Sequence, residues 1–440
     1  MKKILSAALI LALAAAAQAS APKRITLLFA GDLMAHSPQI AVARRKKGYD
    51  FKPSFAAVAP LITAADVAVA NFETTLGGAK GGYSGYPCFS TPDEYADAVK
   101  AAGFDVLTTA NNHCMDRRFP GLKRTVEQLR LKGFDTCGTY AESADRETVL
   151  IREVNGIKVA FLAWTYGTNG IPVADDKKWS VARLDQFAAV SEDLARARAQ
   201  SPDFIVALPH IGTEYALTPP RHVTSFAERV LDLGAAAVIA SHPHVVQPFE
   251  LRVAASADRP PSFIAWSMGN FISNQRPAPR DVGAMARLTL ERSGDVTRIV
   301  SADVIPTWVQ VRTSTGARVS RVLPLTQALR EPARFSISAA DLKRLKGAHA
   351  DFTSRVLGRA VPLKDARLAY NLTPSSQDRF STAKHDAAAR KRREAAQLDS
   401  KDKTKSPARR KTPAPKKRRR KNVRKPILTQ EEVNAQMLLL

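Results

Sequence analysis

The sequence predicts an α/β fold in which helices cover a mixed or doubled sheet. Two patterns carry that prediction. Apolar runs of strand length alternate along the chain with segments of helical periodicity, as expected where strands are joined through helices. Five of the runs also end in a side chain that can bind a metal or move a proton: ITLLFAGD at Asp32, VAVANFE at Glu73, FDVLTTANNH at Asn112 and His113, FIVALPH at His210, and AAVIASHPH at His242 and His244. Parallel sheets gather functional groups at the carboxyl ends of their strands, so residues spread over roughly 200 positions can meet in one cleft. The spacing points to a two-metal hydrolase site.

Taken in order, residues 1–21 read as a secretory signal peptide. Lys2 and Lys3 precede an apolar run from Ile4 to Ala17, and small-residue cleavage sites follow at Ala17-Gln18-Ala19 and Ala19-Ser20-Ala21. That run is short for a bilayer span, and no later stretch of about 18 apolar residues replaces it. An exported, soluble protein of a bacterial envelope is expected, with the periplasm as its compartment. Residues 22–312 form the main α/β domain. Helices are expected at roughly 93–102, 120–132, 184–199 and 220–233, and further strands at 148–154, 157–164, 262–266 and 284–291. Residues 313–375, with a helical stretch from Ala339 to Lys346, read as a small C-terminal helical extension packed on that domain.

Charge marks off the last segment, residues 376–440. The formal net charge of the 440-residue chain is +25, and residues 381–440 hold 19 Lys and Arg against 6 Asp and Glu, so about half of the excess sits there. With few large apolar residues this tail cannot offset its ordering entropy, and it is expected to be a disordered basic tail. It suits contact with an anionic polymer or a membrane surface, or it is a solvated extension. Specific nucleic-acid binding is not expected behind a signal peptide. Cys88, Cys114 and Cys137 match neither a zinc knuckle nor a disulfide scaffold. They leave a Cys88 to Cys114 bridge or three small buried hydrophobes as the alternatives.

The strand ends carry the chemistry. Asp32 follows Gly31 and offers a hard oxygen to a divalent cation, or it caps a turn. Glu73 fits a bridging ligand, a general base or a capping carboxylate. In Asn111-Asn112-His113-Cys114-Met115-Asp116, Asn112 offers a neutral oxygen ligand and His113 a proton donor or charge stabiliser. Asp116 either orients His113 or caps the following helix. His242 and His244 flank Pro243, and in an extended segment their side chains would point the same way as a bidentate clip. Imidazoles with carboxylates suit one or two divalent ions, with manganese, zinc or iron as candidates. Glu214 and Tyr215 are expected to meet substrate or position His210, or to pack in a loop; Asn270 is expected to line the cleft or to satisfy a turn.

GDLMAH, NFETTL, NNHCMDRRFPGL, HIGTEY, SHPHVVQP and SMGNF occur in the order found in the CapA family of poly-gamma-glutamate capsule synthesis proteins, and the chain resembles that family over roughly residues 25–275. The family looks like a variant of the calcineurin-like metallophosphoesterases. The resemblance implies a double β-sheet sandwich flanked by helices, two bound metals and a metal-activated hydroxide. Carried over, it makes Asp32 and His244 ligands of the first metal, Glu73 the bridge, and Asn112 and His210 ligands of the second with His242 beside them. His113 becomes the acid or charge stabiliser. Two positions depart from the pattern: Met34 stands where the phosphoesterases have a histidine, with His36 as its candidate substitute, and Glu73 replaces an aspartate. The function this implies is synthesis, transfer or processing of an anionic envelope polymer by metal-dependent hydrolysis or acyl transfer. A periplasmic metal-dependent phosphoesterase and a non-catalytic polymer-binding scaffold are the other readings.

Overall fold

A strand buried on both faces must be apolar along its whole length, and Val67–Phe72 and Phe204–His210 are buried at every position in the computed structural model of the chain. The structure describes residues 22–253, 261–314 and 317–372, so the expected signal peptide and basic tail lie outside the described residues. In chain order the first elements are β1 (Lys23–Leu33), α1 (Ser37–Ala43), α2 (Ala59–Ile62), β2 (Val67–Phe72), α3 (Glu94–Ala101), β3 (Val106–Thr108), α4 (Arg118–Leu131) and β4 (Asp135–Cys137). There follow β5 (Leu150–Val154), β6 (Ile157–Thr165), α5 (Phe187–Ala199), β7 (Phe204–His210), α6 (Arg221–Asp232), β8 (Ala237–Ile239), β9 (Phe249–Arg252), β10 (Ser262–Ala265) and β11 (Asn270–Ile272). The last are β12 (Val282–Ser293), β13 (Val296–Ser314), β14 (Ala317–Pro324), α7 (Leu325–Arg330), α8 (Ala339–Asp351) and β15 (Tyr370–Asn371).

Among the described residues these strands form two sheets. One has the order β14-β13-β12-β1-β2-β3-β4, with β11 added to β1 and β15 to β13; the other runs β5-β6-β7-β8-β10-β9. Pairing is parallel from β1 through β4 and from β6 through β8 to β10, and antiparallel from β1 out to β14. The period of two along β1 separates two cores. Leu27 and Phe29 join Val69, Phe161, Val206 and Phe263 between the sheets. Leu28 and Ala30 turn the other way, under Ile40 of α1 and Tyr95 and Val99 of α3. On the far side of the second sheet, Trp164 and Ala207 pack on Leu194 of α5 and Phe226 and Val230 of α6. Each fully buried large side chain contributes about 1.5–3 kcal/mol, so both sheets are held by apolar layers on both faces. The result is the expected double β-sheet sandwich flanked by helices.

Three expectations need correction. The domain limit at residue 312 falls inside β13, and β14 and β15 beyond it pair with β13. The C-terminal segment is therefore part of the first sheet as well as helical. Its α8 starts at a capping box, in which Ser338 Oγ accepts from Asp341 N–H at 3.1 Å and Asp341 accepts from Ser338 N–H at 3.3 Å. It then inserts Leu345 and Ala348 into the core between the sheets. The proposed disulfide is absent: Cys88, Cys114 and Cys137 are all free, with Cys88 exposed and the others buried. Burial pushes the Cys114 and Cys137 thiols up to about 12. Finally, His242 and His244 do not lie in an extended segment, since β8 ends at Ile239 and both have positive φ, 105° and 58°. No helix among the described residues is long and apolar enough to cross a membrane.

One close approach brings the first strand to the site. Asp32 N–H donates to the Gly269 carbonyl at 3.0 Å, and a Cβ on Gly31 would stand 1.9 Å from that carbonyl oxygen. Gly269 itself has φ 65°, a conformation that costs glycine little. β1 and β11 can then pair in parallel with Asp32 opposite Asn270. Replacing a strand glycine by alanine commonly stabilises by about 0.4–1 kcal/mol where the backbone allows it, but overpacking costs about 1–3 kcal/mol. The clash is with backbone, so it wins at this position. Gly31→Ala is expected to lower stability by about 1–3 kcal/mol in chemical denaturation; an unchanged midpoint would contradict this packing.

Candidate metal centre

The parallel strands of the two sheets deliver their carboxyl ends to one cleft. Asp32 comes from β1, Glu73 follows β2, Asn112 and His113 lie in the turn after β3, His210 ends β7, and His242 and His244 follow β8. All seven are buried. Ligand atoms of Asp32, Glu73 and His210 lie within 4.8 Å of one another, as do those of Glu214, His242 and His244. Glu73 stands between the two groups: its Oε1 is 3.7 Å from His210 Nε2 and 3.8 Å from His244 Nε2. Asp32 Oδ2 is 3.1 Å from His244 Nδ1, and Asn112 Oδ1 is 2.9 Å from His210 Nε2.

A hub that the sequence reading passed over organises this set. Asn71 Nδ2 lies 2.8 Å from Asp32 Oδ1, 3.3 Å from Glu73 Oε2 and 3.2 Å from His210 Nδ1. Its Oδ1 accepts from Thr108 Oγ1 and Asn111 Nδ2, which sets the amide with its nitrogen toward the carboxylates. Two amide hydrogens facing three acceptors hold those groups together without neutralising them. The i, i+2 relation between Asn71 and Glu73 was the available signal, because alternate strand residues share a face. Asn169 gave none. It lies on an exposed loop with φ 50° and reaches Asn112 Nδ2 through its Oδ1 at 3.1 Å.

The remaining candidate residues surround this core. His113 Nδ1 is 2.8 Å from Asp116 Oδ2, which also accepts from Phe89 N–H at 2.7 Å. Asp116 therefore holds His113 and the 84–90 loop together, and α4 has no side-chain cap. That loop is closed by reciprocal Ser84 and Ser90 backbone bonds of 2.9 Å, and it carries the exposed Tyr86 ring to 6.4 Å from the His113 ring. Asn270 meets His244 Nδ1 through Oδ1 at 3.1 Å while its Nδ2 donates to the His244 and Arg280 carbonyls. Tyr215 lies 6.1 Å ring to ring from His244. Glu214, expected to meet substrate, position His210 or pack in a loop, stands with His242 and His244. His36 is in neither ligand group; its Nδ1 accepts from Asn274 N–H and its ring packs on Phe89.

The electrostatics suit a cation. Burial, and then the neighbouring Asp32, push the Glu73 carboxyl well above its ordinary value. Burial, and then adjacent imidazoles, hold His210 and His242 well below theirs. Both His242 nitrogens and Glu73 Oε1 are buried without a hydrogen-bond partner. Each such atom costs about 1–3 kcal/mol, and an ion would satisfy Glu73 Oε1 and one of the two His242 nitrogens. Donors sharing an ion at bonds of about 2.0–2.2 Å sit about 3 Å apart, close to the Asp32–His244 and Asn112–His210 separations above. Carboxylate, amide oxygen and neutral imidazole are also the donor types divalent metals take.

Fold and site together define a two-sheet α/β protein with a buried centre of carboxylates and imidazoles between its strand ends. The chain belongs to the bacterial capsule synthesis protein family PGA_cap, whose model matches residues 26–275. It is 27% identical over 299 residues to the capsule biosynthesis protein CapA of Bacillus anthracis, covering 66% of this chain and 68% of that one. To the PGA biosynthesis protein CapA of Bacillus subtilis (strain 168) it is 27% identical over 269 residues, covering 60% and 68%. Among solved structures, the calcineurin-like phosphoesterase YfkN from Bacillus subtilis aligns with a TM-score of 0.40 at 15% identity, over 74% of this chain and 99% of that one. The sulfate thiohydrolase SoxB of Thermus thermophilus aligns with 0.38 at 14%, over 73% and 59%. The two-sheet architecture rests on the strand order above rather than on these alignments.

Glu73 gives the centre a pH signature when chelator keeps metal away. A carboxyl whose folded pKa is raised contributes stability fully below its unfolded value, near 4.5, and loses it as pH rises through the folded value. The two buried histidines act in the opposite sense and are common to wild type and variant. The stability difference between wild type and Glu73→Gln, measured in chelator, should therefore shift against wild type with rising pH, by up to about 1.4 kcal/mol per unit. A pH-independent difference would show that Glu73 is not held protonated.

Proposed function

We propose that this chain is an exported envelope protein that uses one or two divalent ions to process or transfer an anionic capsule-type polymer, by hydrolysis or acyl transfer. The observation that carries the reading is the meeting of Asp32, Glu73, Asn112, His210, His242 and His244 around buried polar atoms that lack partners. Asp32 and His244, backed by Asn270, would hold one ion. Asn112 and His210, with His242 beside them, would hold a second, with Glu73 near both. When bound, manganese, zinc or iron would polarise an acyl or phosphoryl oxygen and lower the pKa of a water. His113, oriented by Asp116, is placed to donate a proton to a leaving group or to stabilise developing charge. Glu214, Tyr215 and Asn270 border the same centre and form the substrate side of the site. Family membership supports the polymer class, and the sequence of residues 1–21 supports periplasmic export. The basic residues of 376–440 would add salt-sensitive contact with polyanions or an anionic membrane surface.

Elemental analysis of the full chain, loaded with manganese or zinc and desalted, provides the test. Wild type is expected to retain one to two ions, and His210→Ala and His244→Ala about one fewer each, since loss of a direct ligand removes much of a site's affinity. Wild-type protein that retains no divalent ion under any loading condition would refute the catalytic reading. A second measurement addresses the tail: deleting residues 381–440 should flatten the salt dependence of polyglutamate binding.

A further inference from the structure

We propose that Arg280 is a substrate-binding residue of the metal centre, an anchor for an oxyanion group carried by the substrate next to the reacting one. This rests on the reading of the centre as the place where an anionic chain is processed. Arg280 lies just beyond the 26–275 segment that matches the family. Its guanidinium carbon sits 3.3 Å from the centroid of the Tyr215 ring, and that ring borders His244. The Arg280 carbonyl accepts from Asn270 Nδ2 at 2.9 Å, and Asn270 Oδ1 contacts His244 Nδ1. Arg280 is thus tied to the centre both through its side chain and through its backbone.

Beyond the Tyr215 ring, its charge meets no anionic partner among the described residues. Among the described residues no carboxylate forms an ion pair with the Arg280 guanidinium, although two stand close in sequence or space. The adjacent Asp281 is buried and already taken: Trp308 Nε1 and Arg344 Nε each donate to its Oδ2 at 2.9 Å, and Arg344 Nη2 donates to its Oδ1. Glu214 stands with His242 and His244. The ring face lays the guanidinium flat and desolvates one side of it, but supplies no acceptor for its N–H groups. A flat guanidinium with free donors is the group best matched to the two oxygens of a carboxylate or phosphoryl group.

The backbone behind Arg280 is held in place as well. Arg280 N–H donates to the Pro277 carbonyl at 2.9 Å, and Val309 N–H in β13 donates to the Asp281 carbonyl at 2.9 Å. Arg344 belongs to α8, so the C-terminal segment locks the loop on which Arg280 is presented. A side chain with lone donors on a locked loop is preorganised, which lowers the ordering cost of binding an anion.

Calorimetry on the full chain tests this with a short γ-linked glutamate oligomer and with inorganic phosphate as probes, in saturating manganese and again in chelator. Arg280→Gln is compared with Arg280→Lys, which keeps the charge and loses the planar fork. Arg280→Gln should weaken probe binding about tenfold or more, and Arg280→Lys less, in line with loss of a charge-assisted hydrogen bond. Bound manganese and the thermal midpoint should not change. Weakening confined to the oligomer identifies a carboxylate anchor, and weakening confined to phosphate a phosphoryl anchor. Equal affinity of wild type and Arg280→Gln for both probes overturns the proposal, as does failure of wild type to bind either. The chelator arm separates the two readings: an Arg280-dependent affinity in a protein that takes up no metal leaves the anchor standing and refutes the metal centre. Metal uptake with affinity indifferent to Arg280 does the reverse.

Discussion

Asp32 and Glu73 are fully buried side by side, and burial holds the nearby imidazoles of His210 and His242 well below their ordinary values. Two carboxylates cannot both remain ionised in such a place without a countercharge. Either one holds a proton or a cation enters. Asn71 meets both carboxylates and His210 with amide hydrogens, which fixes the geometry and leaves the charge for something else to balance. Much of the surrounding architecture follows from this requirement. Gly31 lets β1 pass against Gly269 so that Asp32 reaches the centre, and His242 and His244 adopt positive φ to turn their rings inward. Such conformations cost about 1–3 kcal/mol each and persist where the surrounding structure over-determines them.

That over-determination comes partly from outside the family segment. Arg355, just after α8, pairs with Asp351 at 2.7 Å and donates to the Val246 carbonyl, two residues beyond His244. Arg344 grips Asp281, one residue beyond Arg280. Two arginines of the C-terminal segment therefore hold two loops that border the centre, one at a backbone carbonyl and one at a carboxylate. The apolar side of α8, with Leu345 and Ala348 in the core between the sheets, anchors both contacts. A segment that looks like an appendage by composition thus acts as a clasp, and its strands β14 and β15 make it inseparable from the first sheet.

How far the sequence could be read depended on the range of each signal. Unbroken apolar runs such as FIVALPH declare a doubly covered strand, and a polar residue at their end declares itself by contrast, so Asp32, Glu73 and His210 were visible. Asn112 and His113 were visible too, but as strand ends, whereas β3 stops at Thr108 and they occupy a turn. The extended clip at His242 and His244 failed because local sequence does not encode a positive φ at histidine; only the packed cleft imposes it. Asn169 and Arg280 sit in loops whose partners lie far away in sequence, where no periodicity marks them. The strands after residue 312 were missed because β14 alternates residue types without a long apolar run, as a strand at the antiparallel edge of a sheet can.

The departure at Met34 is best understood from the donor set as a whole. A thioether is a poor ligand for a hard cation, and Met34 is buried, with its carbonyl taken by Gln39 Nε2 and Tyr95 Oη. His36 does not restore the missing imidazole, since it stands in neither ligand group, its Nδ1 accepts from Asn274 N–H and its ring packs on Phe89. The group that stands with His242 and His244 is a carboxylate, Glu214, delivered from beyond β7 on the opposite sheet. A carboxylate there brings oxygen donors and negative charge close to the imidazoles, and both favour harder ions over softer ones. Within a centre that already buries Asp32 and Glu73, a third carboxylate raises the demand for positive charge. The proposed ions would answer that demand, and at the rim stands the Arg280 guanidinium on the Tyr215 ring, which among the described residues pairs with no carboxylate.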